Sequence, residues 1–122
     1  MKKLDSEFIG KREVKGFLFK KIKENDYVYM YEVYAKNDLG SIVAKPHYEV
    51  FEKKISKETK TKIGGVDIVF PEQERYPTQA DFGIWAFCIS SYDKALIKFD
   101  DFTETLKQRE FFKSKQKLNN GI

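Results

Sequence analysis

Hydrophobic spacing along the chain changes period once, sharply, at a pair of serines. Before Ser90 and Ser91, residues 82–89 (FGIWAFCI) form a nearly unbroken apolar run that holds the only Trp and the only Cys. After them, Ala95, Phe99, Phe102 and Leu106 recur at the spacing of one helix face. A buried strand feeding an amphipathic helix is therefore the expected heart of the core. Trp85 and Phe99 should lie inside it and close together, and Cys88 should be a buried, inert thiol. Ser90 or Ser91 can cap the first-turn amides, and Asp93 lies where the helix dipole favours an acid. Phe111 and Phe112 leave the stripe, because at about 100° per residue they fall well to either side of it. Either the helix breaks near Gln108, or these rings meet something other than the domain core. Asn119, Asn120 and Gly121 supply a late stop signal.

Upstream the period is two rather than 3.6. In DYVYMYEVY, Tyr27, Tyr29, Tyr31 and Val33 share one face, and Val28, Met30, Glu32 and Tyr34 share the other. Residues 7–23 carry Val14, Phe17 and Phe19 interrupted by Gly10 and Gly16, which predicts one long, bent or bulged strand. Glu24-Asn25-Asp26 is a turn. Residues 36–46 read as a loop, and residues 47–55 as a third strand with its charged end at the rim. Residues 58–70 suggest a hairpin about Gly64 and Gly65, where glycine accepts positive φ. Residues 71–79 carry two prolines and read as a connection. Strands first and one helix last imply an α+β fold: an antiparallel sheet of about four to five strands with one long C-terminal helix packed on one face. Residues 1–106 would form a single domain including most of that helix, and 107–122 a basic helix end or tail.

Charge sharpens this division. The net charge is +4, and residues 106–122 hold Lys107, Arg109, Lys113, Lys115 and Lys117 against Glu110 alone. Residues 1–105 balance 18 basic against 18 acidic side chains, so the whole excess sits at the C-terminal end. Only that end offers a field to an acidic partner, although basic side chains also complement the C-terminus of a helix dipole. At 122 residues, 41% of them hydrophobic, the chain has material for one sizeable core and is not of disordered composition. One Cys gives no disulfide framework, the N-terminus shows no secretory signal, and no run is long enough to span a bilayer. The expectation is a cytoplasmic protein without membrane contact.

Chemical motifs are scarce. One His and one Cys make neither a multi-histidine metal site nor a zinc finger, and phosphate loops and nucleophile elbows are missing from the sequence. A Cys88–His47 dyad is arithmetically open, but a thiol in an apolar run is raised in pKa, not activated. Asp100 with Asp101, and Glu72 with Glu74, read as solvated surface pairs. No catalytic residue, metal or cofactor is assigned, and a binding protein is expected rather than an enzyme. Lysine clusters interleaved with aromatics allow weak nucleic-acid contact. Yet 20 of the 23 basic residues are Lys, and only Arg12, Arg75 and Arg109 offer the guanidinium favoured for reading bases. The tyrosine face of residues 27–34 reads as packing rather than a base platform.

HYEVFEKK at 47–54, RYPTQADFGIWAFCISSYDKALIKF at 75–99 and VKGFLFKKIKENDYVYMYEV at 14–33 resemble a family of short uncharacterised proteins carried on Bacteroidota plasmids and phages. The resemblance implies a context, not site residues: small proteins of mobile elements often bind a host machine. The functional expectation is a non-catalytic binding protein acting by protein–protein contact, an anti-CRISPR-like inhibitor of a host defence nuclease being one form. The alternative is a nucleic-acid-associated accessory protein using its lysine-rich surface. Phe111 and Phe112, with Lys107, Arg109, Lys113, Lys115 and Lys117, are the candidate partner-binding residues. The partner would be a host protein or nucleoprotein complex, and a homodimer through the helix is compatible with either reading.

Overall fold

The computed structural model describes residues 2–10, 16–36, 42 and 45–120, with side chains in the C-terminal helix described as far as Lys115. Its strands are β1 (Glu7–Ile9), β2 (Phe17–Glu24), β3 (Val28–Ala35), β4 (His47–Glu52), β5 (Lys54–Ser56), β6 (Thr59–Ile63), β7 (Val66–Phe70), β8 (Gln73–Arg75) and β9 (Ala86–Ile89). One helix, α1 (Tyr92–Asn120), follows them. Five strands form an antiparallel sheet in the order β1-β2-β3-β4-β9. α1 packs on β4, β3 and β9, so the molecule is α+β with the helix on one face of the sheet.

The alternation along β3 sets the two layers. Register places Met30 beside Val50 and Phe87, and the Phe87 ring meets Phe102 of α1 edge-on at 5.3 Å. Val28, Met30 and Val50 are thus buried beneath Ala95, Phe99, Phe102 and Leu106. The opposite face carries Phe19, Tyr29, Tyr31 and Phe51, all buried. Tyr76 lies across this second layer, edge-on to Phe8, Phe19, Tyr31 and Phe51 at 5.2 to 6.5 Å. β3 is buried on both faces from Val28 to Tyr31, so this half of the strand has no solvent side, whereas Glu32, Tyr34 and Ala35 are only half-buried.

Local chemistry fixes the punctuation. The Asn25 carboxamide oxygen accepts from the Tyr27 and Val28 amides at 2.8 and 2.9 Å, and its nitrogen donates to Thr103 of α1 at 2.9 Å. The Lys94 amide donates to Ser91 Oγ at 3.3 Å, so Ser91 is the cap. Gly64 and Gly65 take φ of +58° and +80° and join β6 to β7 in a two-residue turn.

Several expectations are corrected. Residues 7–23 are not one bent strand: β1 and β2 pair with each other, and Gly10 donates to Phe17 O at 2.8 Å across the reversal. Residues 11–15 of that segment lie outside the described part, as do 37–41 and 43–44 of the expected loop. Strand 82–89 shrinks to Ala86–Ile89, because Gly83 takes φ of +90° and donates back to Ala86 O at 2.7 Å. Residues 47–55 divide after Glu52, where Lys53 donates to Tyr27 O at 2.7 Å and β5 turns away to pair with β8. Residues 71–79 therefore contain a strand. β5–β8 and β6–β7 together form one two-stranded arm, interrupted at 57–58 and 71–72, where Pro71 offers no amide.

Candidate partner-binding surface

At 29 residues, α1 is about 43 Å long. Its packed stripe ends at Leu106, the last buried residue of α1 among those whose side chains are described. Two contacts hold the next turn. Arg109 pairs with Glu52 at 3.5 Å, and the Tyr27 hydroxyl faces Glu110, whose hydrogen bond pushes the phenol pKa up. Beyond Glu110 no described residue of α1 makes a hydrogen bond or ion pair to the sheet. The helix does not break at Gln108; it continues as an overhang.

Phe111 and Phe112 sit on that overhang, 64% and 62% exposed, with their rings edge-on to each other at 6.3 Å. They line an open groove of about 710 Å³ with Tyr27, Glu104, Lys107 and Gln108. Lys113 and Lys115 are also exposed on the overhang. The candidate residues therefore share one helix end, but their roles differ. Arg109 is engaged by Glu52, whereas Lys107 lines the groove. Lys117 belongs to α1, and its side chain lies outside the described part. Sequence reasoning missed Tyr27, Glu104 and Gln108. Tyr27 reads as an ordinary strand residue, and only the direction in which α1 leaves the sheet brings it under Phe111.

The aromatic face holds a second set of polar groups. Glu49, 6% exposed, accepts a hydrogen bond from Tyr76 and stands opposite Cys88 in the register. Burial pushes its carboxyl up to about 7, despite the stabilising phenol. Glu74 accepts from the Tyr29 hydroxyl and from the Leu4 amide, so the expected solvated Glu72–Glu74 pair is half wrong: Glu74 is buried. Glu24 accepts from Lys21 and Lys53 at 2.6 and 2.7 Å, and these lysines hold its carboxyl down at about 2.

Cys88 is exposed rather than buried, because it occupies the edge strand β9 and faces away from α1. Partial burial and then the charge of Glu49 raise its thiol pKa. His47 lies one alternation from Glu49 on β4, its imidazole pushed down by burial, with Phe17 edge-on at 6.4 Å. Tyr29 and Tyr31 are buried, so their face is core and not a base-stacking platform. Among the described residues no group of three or more His, Cys, Asp and Glu side chains is placed to hold a metal ion. No helix among them is long and apolar enough to cross a membrane.

These features define an α+β protein whose sheet is closed by one helix and whose most exposed aromatic pair lies on that helix's overhang. No family model, curated protein or solved structure matches the chain.

Proposed function

We propose that the chain is a non-catalytic binding protein acting by protein–protein contact, with the α1 overhang as its docking element. The observation that carries this reading is the exposed Phe111–Phe112 pair on the helix beyond its buried stripe. Adjacent rings on a rigid rod suit insertion into an apolar pocket, and aromatic anchors of this kind dominate binding energy. Lys107, Lys113 and Lys115 beside them favour an acidic rim around that pocket. The resemblance to proteins of mobile elements directs the search to a host protein or nucleoprotein complex, with a defence nuclease as the first partner to test.

Truncation after Leu106 tests the proposal. The shortened protein should keep its melting temperature within a few degrees, because the buried stripe ends at Leu106, and should lose capture of the host partner. Phe111→Ser with Phe112→Ser should reproduce that loss in the full-length chain. Binding that survives both changes would overturn the assignment. Binding that survives the serine variant but collapses with added salt would favour phosphate contact by the lysines.

A further inference from the structure

We infer that two copies of this chain associate through the free edge of β7, pairing antiparallel about Ile68. β7 pairs only with β6 among the described strands, and no extensive packing joins either strand to an element other than its partner. Val66 is 62% exposed and Phe70 48%, and Ile63 and Val69 are exposed as well. A lone two-stranded ribbon is marginally stable in water, and three or more strands are needed to support it.

The two edges of the ribbon differ in kind. β6 reads TKTKI, with the lysines that commonly protect an edge strand. β7 reads VDIVF, the β-branched and aromatic composition of a central strand, left at an edge. Backbone geometry selects the register. Ile63 and Val66 close the two-residue turn, so Ile68 directs its amide and carbonyl toward Thr61, while those of Asp67 and Val69 point outward. A two-fold axis at Ile68 pairs Asp67 with Val69 of the second copy, twice, and satisfies all these outward groups.

The same register sets Val66 opposite Phe70, a favourable aromatic–β-branched pair, and Ile68 opposite itself. On the other face each Asp67 lies between its own Lys62 and the second copy's Val69, with no like charges adjacent. Equivalent pairing through β6 about Thr61 would set Lys60 against Lys62 twice, which disfavours that edge. The occupant of the β7 edge is thus a second copy, because VDIVF is complementary to itself in antiparallel register.

The interface is far smaller than the roughly 1,600 Å² of a standard complex, so a reversible, concentration-dependent dimer is expected. Sedimentation of the full chain with Cys88→Ser should show it. Adding Ile68→Lys sets two ammonium groups face to face on the axis and should leave only monomer. Thr61→Lys, the same change on the outer strand, should leave the dimer intact. Both variants should keep the parent's circular dichroism, since the ribbon has no extensive packing on another element. In the Cys88→Ser background, Ile68→Cys should oxidise to a linked dimer much faster than Val69→Cys, because only residue 68 meets itself. A parent chain that is monomeric up to millimolar concentration would overturn the proposal, as would dimers that survive Ile68→Lys. The chain ending at Leu106 should dimerise normally, so failure here and failure of the α1 docking proposal are separately readable. Loss of the dimer on that truncation would place the contact on α1 and refute the β7 pairing.

Discussion

Replacing Glu49 by glutamine removes an ionisable group from the aromatic layer while keeping an acceptor for the Tyr76 hydroxyl. The groups facing it are Tyr76, the Tyr31 ring opposite it on β3 and the Cys88 thiol opposite it on β9. Its carboxyl titrates near 4.5 when unfolded and about 7 when folded. The folded state therefore prefers the neutral acid. This contribution is fully present below about pH 4.5 and is lost as pH rises through about 7. At about 1.4 kcal/mol per tenfold change in proton affinity, the ionised group costs the fold roughly 3 kcal/mol above that window. His47 acts with the opposite sign, because its depressed imidazole loses stability as pH falls. The wild-type profile mixes the two, and the difference between wild type and Glu49→Gln isolates the carboxyl. Denaturant unfolding should show near-equal stability at about pH 4 and an advantage of roughly 3 kcal/mol for the glutamine variant at about pH 8. A difference that stays flat across that range would refute the reasoning, since a constant offset belongs to packing of the amide and not to ionisation.

Other outcomes follow from the same two layers. Trp85→Ala should cost about 3–5 kcal/mol in denaturant unfolding, the range for deleting a buried large aromatic; the ring is 6% exposed, with the cross-strand neighbours Lys54 and Arg75 at 5.3 and 5.1 Å from it. Tyr29→Phe should destabilise by about 1–3 kcal/mol, because Glu74 stays buried without its phenolic donor; an unchanged unfolding midpoint would mean that water replaces the hydroxyl. Cys88 should be labelled to completion without unfolding, slowly at neutral pH and faster as pH rises, and Glu49→Gln should speed the neutral reaction. Labelling that requires denaturant would restore the buried-thiol expectation.

Features encoded within a few residues were legible in the sequence. Ser91 caps α1, Asn25 closes the β2–β3 turn, and the Gly64–Gly65 pair makes a hairpin; each involves partners two to four positions apart. The helix stripe and the two-faced β3 follow from period alone, and so does the departure of Phe111 and Phe112 from the core. Polar burial was not legible. Glu49 and Glu74 look like surface acids, and their phenolic partners lie 27 and 45 residues away. Apolar runs also misled where backbone reversal overrode hydrophobicity. Gly83 turns the chain inside FGIWAFCI, so Ile84 ends up exposed while Trp85 goes into the core. Trp85 and Phe99 belong to one buried cluster, yet their cationic neighbours differ: Lys54 and Arg75 for the indole, Lys23 for the phenyl.

The order in which the layers appear along the chain bears on synthesis. β1 to β4 emerge first, but their fifth strand, β9, and the helix that covers them come last. Until Leu106 has left the ribosome, Val28, Met30 and Val50 have no cover on one side, and β4 presents an open edge. Nascent chains stalled before Tyr92 therefore display an apolar, edge-bearing sheet of the kind that recruits chaperones or aggregates.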